Sequence, residues 1–234
     1  MASRKMRDPV NQPNVEFIDK RGAVSLGLLK SREWIEDPRR FVFSLSRYKF
    51  VAKMLSGRAN VLEIGCGDAF NAPLIMQEVK RLTVTDFDEE FVKDARQRRQ
   101  PEYPYEALVH NFLDGPLDSK PSGDKSGGKF DAAYSLDVLE HIEAKDEDRF
   151  LRNILQCLTD DAVMIVGMPS LESQAYASEG SKLGHVNCKS GPDLKALMER
   201  YFRSVFLFSM NDEVVHTGYH KMAHYVIALC AHRR

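Results

Sequence analysis

The run Val61-Leu-Glu-Ile-Gly-Cys-Gly67 sets an acid and two glycines at the end of a short apolar stretch, and Asp86 ends the next such stretch twenty-three residues after Glu63. Glycines at a strand-to-helix turn let a ligand approach the backbone closely, where a Cβ would collide with it. An acid at the tip of the second strand can accept hydrogen bonds from both hydroxyls of a ribose. Glu63, Gly65, Gly67 and Asp86 together describe a cradle for a nucleoside. Phe70 stands where a GxGxxG dinucleotide fingerprint needs its last glycine, which disfavours a nicotinamide cofactor and an oxidoreductase. No GxxxxGK[ST] phosphate loop occurs. The acid ahead of the first glycine suits a positively charged ligand better than a pyrophosphate.

Such a cradle needs strands and helices in alternation. Residues 59–64, 81–86, 105–112, 130–136 and 162–168 are short apolar or β-branched runs, and 72–79, 89–99, 147–157 and 192–201 show helical spacing. Strands separated by helices predict βαβ units and a mostly parallel sheet. Two further apolar runs, 204–208 and 223–231, are joined by polar residues 211–221 without a helical pattern and predict an antiparallel pair. Upstream, residues 15–57 carry helical signals such as Ser46-Arg-Tyr-Lys-Phe-Val-Ala-Lys-Met-Leu55, read as a cap over the sheet edge. Residues 115–129 are rich in Pro, Gly, Ser and Lys and predict a solvated loop. The expected organisation is a tail and helical cap over 1–57 and a core over 58–234, within one structural domain.

The 234 residues are 43% hydrophobic and 29% charged, with 33 Lys+Arg against 34 Asp+Glu, which excludes collagen-like and disordered classes. A net charge of −1 offers no global field to phosphate backbones, so nucleic acid is not the expected partner. The longest apolar stretches, 162–168 and 225–231, fall short of the ~20 residues that span a bilayer. Residues 1–15 lack the apolar core of a signal peptide, and the four cysteines form no CxxC pair, which together point to a reduced, cytoplasmic protein. His216, His220 and His224 would align as metal ligands on a helix, but Gly218 and the strand pattern around His224 argue against that helix, so no metal is expected.

In this order and over residues 59–231, the motifs resemble the class I S-adenosylmethionine (SAM) dependent methyltransferases, in the group with a D/E-x-G-x-G first motif and an LEH-type fourth motif. The resemblance implies an α/β fold: a three-layer Rossmann-like sandwich on a seven-stranded, mostly parallel sheet of order 3-2-1-4-5-7-6, strand seven antiparallel. It implies SAM as cofactor and S-adenosylhomocysteine (SAH) as product. Glu63, Gly65, Gly67 and the backbone of Cys66 then form the first motif, with Asp86 on the ribose and Phe87 stacked on adenine. In His110-Asn-Phe112 the family usually has Asp, so Asn111 would meet the adenine amine through its side-chain carbonyl, beside Phe112. Ser135-Leu-Asp-Val-Leu-Glu-His141 matches the fourth motif, with Leu136 and Asp137 lining the methionine end and His141 beginning the next helix. In the cap, Arg47 is placed to meet the methionine carboxylate, and Tyr48 and Trp34 to close over SAM.

Residues 169–190 form a long polar segment after strand five, with Tyr176, His185, Asn187 and Lys189. In this fold such a segment covers the strand C-terminal ends, where the methyl group emerges, and is read as acceptor pocket and lid. His185 is the residue there best able to accept a proton near neutral pH. The activity implied is methyl transfer to a small or medium polar acceptor, first O-methylation of a sugar or glycan-precursor hydroxyl, second of a quinone-type or phenolic lipid. A non-catalytic SAM-binding protein would keep the same cradle. Leu136-Asp-Val138 replaces the N/D-P-P-Y/F motif of amino-methylating DNA enzymes, no Pro-Cys pair of cytosine-C5 enzymes occurs, and the acidic cluster of the metal-dependent catechol type has no visible counterpart.

Overall fold

The computed structural model describes residues 4–118 and 128–234. Three helices come first, α1 (Gln12–Arg21), α2 (Leu28–Glu36) and α3 (Pro38–Met54). Then follow β1 (Val61–Ile64), α4 (Ala72–Met76), β2 (Leu82–Asp86), α5 (Glu89–Arg98), β3 (Glu106–Val109), β4 (Phe130–Leu136) and α6 (Glu147–Gln156). The chain ends with β5 (Leu158–Pro169), α7 (Glu179–Gly184), α8 (Gly191–Glu199), β6 (Phe202–Asn211), β7 (Val214–His216) and β8 (Tyr225–Arg233). Side-chain caps set several helix starts: Asp37, Asp88 and Ser190 accept the N–H groups of Arg39, Glu90 and Asp193.

The sheet order is β3-β2-β1-β4-β5-β8-β6-β7. Neighbours from β3 to β5 are parallel, and β8 runs antiparallel to both β5 and β6. The expected order is present with an eighth strand added at one edge. Residues 211–221, read as a plain connection, contain β7, which folds back on β6 from Ser209↔His216 to Asn211↔Val214. Three residues are too few to show alternation in the sequence.

Every residue of β1 and β2 is buried, because helices cover both faces. On one face α6 and α8 bring Phe150, Leu151, Ile154, Leu194 and Leu197 against Leu62, Ala133, Met164 and Val226. On the other, α3, α4 and α5 bring Val51, Ile75 and Val92 against Val84, Tyr134 and Ile165. Within 15–57, α3 reaches the edge strand β7 but does more than cap that edge. Helix α3 lies on the face, with Phe50 packed on Phe208 of β6 at 4.9 Å between ring centroids, whereas α1 buries no residue. The physical reason is that α3 buries Tyr48, Val51 and Ala52 in the same core as Tyr134, Ile165, Met210 and Tyr225 of β4, β5, β6 and β8. The polar run 115–129 falls mostly on 119–127, outside the described residues. Among the described residues no helix is long and apolar enough to cross a membrane.

Ile154 is fully buried between α6 and the sheet. Ile154→Ala should lose about 2–5 kcal/mol in urea denaturation, and Val214→Ala on the exposed outer strand should stay within about 0.5 kcal/mol of wild type.

Candidate active site

β1 and β2 are parallel neighbours in the register Ile64↔Thr85, so the turn leaving β1 meets the tip of β2. Gly65 and Cys66 both donate their N–H groups to the Thr85 carbonyl, at 2.8 and 2.9 Å, and Gly67 donates to Asp86 Oδ2 at 2.8 Å. This requires φ of +74° at Gly65 and +52° at Gly67, in the left-handed region. Space is equally restrictive: a Cβ on Gly65 would overlap Val138 Cγ2, and one on Gly67 would sit 2.6 Å from Leu29 Cδ1. Asp86 Oδ1 accepts from the Asp88 N–H at 2.9 Å, and each oxygen keeps a further lone pair for a ligand hydroxyl. Burial raises the Asp86 pKa above the usual carboxylate value, against the backbone N–H groups of Asp88, Gly67 and Phe87.

Over this turn lies a cavity of about 670 Å³. Gly65, Cys66, Gly67, Asp86 and Phe87 form one wall, and Asn111 and Phe112 another. Leu136, Asp137 and His141 close the end, with Tyr48 contributed by α3. Phe87 is 75% exposed, which leaves a ring face open at the mouth. Asn111 Oδ1 accepts the Leu113 N–H at 3.0 Å and keeps a second lone pair.

Helix α2 also crosses this cavity, through Leu29 and Lys30. The Lys30 N–H donates to Asp68 Oδ2 at 2.9 Å, and its Nζ donates to Glu33 at 2.7 Å and to Ser44 Oγ at 2.8 Å. Ser44 Oγ also accepts from Asn71 Nδ2 at 2.8 Å. Sequence reasoning missed this fastening, which joins single polar residues distant in the chain and leaves no pattern to read. Trp34, expected to close over the site, instead packs its edge on Phe41 and is half exposed.

Glu63 and Arg47 do not line the first cavity. Glu63 lies behind its wall, where Oε1 accepts from the Tyr48 hydroxyl at 2.5 Å and Oε2 has no partner. Burial is the main cause that lifts its pKa to about 7. Arg47 Nη1 donates to both oxygens of Asp137, at 3.0 and 2.8 Å, and the guanidinium stacks 3.7 Å above the Tyr225 ring. The arginine expected to hold a ligand carboxylate thus holds one of the chain's own. Asp137 itself has φ +57°, unusual for a residue with a side chain.

A second cavity of about 740 Å³ adjoins the first, and Lys30, Asp137 and His141 belong to both. Arg47, Glu140, Ser181 and His185 line its remaining wall. Of the residues singled out in 169–190, His185 faces this cavity. Tyr176 is 92% exposed, and Asn187 and Lys189 bind Glu147 at 2.9 and 2.7 Å and so pin the segment down. His141 Nδ1 donates to the Gly184 carbonyl and His185 Nδ1 to Gln174 Oε1, both at 2.8 Å. Each ring therefore carries its lone pair on Nε2. Burial, then the neighbouring His141, lowers the His185 pKa below the ordinary histidine value, so the ring is neutral at pH 7. Glu140, His141 and His185 come together here, a grouping the sequence analysis did not anticipate. Its signal is the adjacency of Glu140 and His141; His185 lies too far along the chain to join them by spacing. Among the described residues, His216, His220 and His224 form no such group.

A family model described as a methyltransferase domain matches residues 62–164, from β1 into β5. A probable S-adenosylmethionine-dependent methyltransferase of Mycolicibacterium smegmatis is 31% identical over 123 residues, covering 53% of this chain and 42% of that protein. One from Mycobacterium tuberculosis is 28% identical over 128 residues, with the same shares. The chain thus spans less than half the length of these relatives. Among solved structures, the N-methyltransferase NodS of Bradyrhizobium japonicum in complex with SAH has a TM-score of 0.58 at 16% identity, over 86% of this chain and 90% of that one. A possible histamine N-methyltransferase of Thermotoga maritima has a TM-score of 0.62 at 20% identity, over 86% and 93%. At these identities the likeness is one of fold.

Glu63 supplies a pH test of the site's construction. Its folded pKa of about 7 lies above its ordinary value, so the protonated acid favours the fold. That stability is fully present below the unfolded pKa, near 4.3, and is lost as pH rises through about 7. Chemical denaturation of the ligand-free chain should show wild type weakening from about pH 5 to 8, with a smaller change in Glu63→Gln.

Proposed function

We propose that the chain, whose residues 62–164 match a methyltransferase domain, is a class I SAM-dependent enzyme that transfers a methyl group from SAM to a small or medium polar acceptor, first to a sugar or glycan-precursor hydroxyl. The observation that carries this reading is the meeting of the two cavities at Asp137 and His141, with the glycine turn under one and His185 facing the other. The cradle fits the nucleoside end of SAM on its own terms: no room for a Cβ at Gly65, a buried Asp86 with lone pairs to spare, and an open Phe87 ring. Asp86 would hold the ribose, Phe87 the adenine, and the wall of Tyr48, Leu136 and Asp137 the methionine end.

When bound, SAM supplies a methyl group on a sulfonium, an already activated leaving group. What the chain contributes is distance and alignment between two pockets. Helix α2, fastened through Lys30 to Asp68 and Ser44, shields the first pocket from water. His185, neutral and held by Gln174, presents a lone pair toward the acceptor. A phenolic or quinone-type lipid is the second reading, supported by exposed Leu171, Leu183 and Val186 in the segment that carries His185. A reducing, cytoplasmic setting belongs to the same proposal, supported by four free cysteines.

Titration calorimetry of SAH should give micromolar binding to wild type and at least ~tenfold weaker binding to Asp86→Ala, about 1.4 kcal/mol. A folded, ligand-free wild type that does not bind SAH would overturn the reading. With an acceptor found by screening sugar nucleotides against phenolic lipids, His185→Ala should lower turnover by about 10²-fold or more and leave SAH affinity unchanged. The wild-type rate should fall on the acid side, as pH drops through the lowered pKa of His185 and its lone pair is lost.

A further inference from the structure

We propose that Glu140, His141 and His185 bind one divalent transition-metal ion where the two cavities meet. One ligand atom from each residue lies within 4.8 Å of the others. Ligands of a bound tetrahedral ion stand on the order of 3.3 Å apart, so the set has to draw in by only about 1.5 Å to hold one. Glu140 is 1% exposed and its Oε2 has no hydrogen-bond partner, an expensive state for a carboxylate in a protein interior. The nearby Arg47 offsets this only in part, because its hydrogen bonds go to Asp137 and burial still dominates at Glu140.

The imidazoles are oriented as ligands are. Each donates Nδ1–H to an oxygen, His141 to Gly184 and His185 to Gln174, which fixes the tautomer and leaves Nε2 to bind. Gln174 is itself held by donation from its Nε2 to the Ser170 carbonyl at 3.1 Å. The Glu140 carbonyl accepts the Asn187 N–H at 3.0 Å, which ties the segment carrying His185 to the turn carrying the other two ligands. Two imidazoles and one carboxylate suit zinc, manganese, iron(II), cobalt or nickel, and not the all-oxygen shells of magnesium or calcium. Three protein ligands leave coordination positions open, here toward the second cavity, which all three residues line.

On the function proposed above, those positions would hold an oxygen of the acceptor, and the His185 lone pair would act through the ion. The metal site itself does not depend on that function. The expectation of no metal rested on His216, His220 and His224 and on the lack of an acidic cluster after strand four; Glu140 and His141 stand on the turn after β4, and the fold adds His185 to them.

The test is titration of ZnCl2, and of CoCl2 as a spectroscopic probe, into the full chain stripped of metal by dialysis against a chelator. The expected result is one ion per chain, with cobalt d–d bands in the visible. Glu140→Gln, His141→Ala and His185→Ala should each weaken zinc at least ~tenfold, with unchanged far-UV circular dichroism, while His216→Ala/His224→Ala keeps it. Wild type without stoichiometric binding, or binding that survives in both the His141 and His185 variants, overturns the proposal. SAH titrated into the same samples separates the two readings: intact SAH binding without metal binding removes this one alone, and metal binding without SAH binding removes the other.

Discussion

Everything at this site hangs on one local constraint, the hydrogen bonds that run from the β1 turn to the end of β2. Gly65, Cys66 and Gly67 point three successive N–H groups at Thr85 and Asp86, and the backbone can do so only with left-handed glycines at both ends of the trio. That geometry locks the Asp86 carboxylate beside the turn and opens the backbone under a cavity. It also brings Val138 and Leu29 down onto the glycines, so the β4 turn and α2 take their positions from it. The parallel pairing of β1 with both β2 and β4 explains why one turn can organise three strand ends.

Charge is distributed around that turn with an evident bias. Glu63, Asp86, Asp137 and Glu140 all lie at or behind the two cavities, while Arg47 is bound to Asp137 and Lys30 to Glu33 and Ser44. Burial lifts Glu63, Asp86 and Glu140 above the usual carboxylate range, the response of acids that have lost water without gaining a full counter-charge. A site so built favours ligands that bring positive charge. It suits a sulfonium and an ammonium in the first cavity, whereas the second also presents Arg32 and Arg40 and is mixed in charge.

The features legible in the sequence were those set by short-range chemistry. The glycine turn, Asp86 and the fourth-motif residues could be read because strand period, glycine conformation and strand-end acids leave local marks, and the cavity gathers them as expected. The parallel core and the antiparallel β8 were legible for the same reason. What stayed hidden depends on contacts between distant segments. Arg47 was read as free to meet a ligand, yet its partner Asp137 lies ninety residues on. Helix α3 was set at the sheet edge because an amphipathic stripe states that a face is buried, not against what. β7 was too short to show a period, and Lys30 became part of the cavity wall only through Asp68 and Ser44.

The segment between β5 and α8 is held by long-range contacts of the same kind. Its two ends are pinned, by the Ser170 hydroxyl on the Ala223 carbonyl and by Lys189 and Asn187 on Glu147, while the middle stays exposed. Residues outside the pins can change without disturbing the sheet, since they bury little of it. His185 is the exception, because its ring is tied to Gln174 and packs at 5.3 Å from His141 on the turn after β4. The segment therefore meets the turn after β4 through this pair of imidazoles and through the Gly184 carbonyl and the Asn187 N–H. Residues can change around that pair, but moving the pair itself would break the junction between the two cavities.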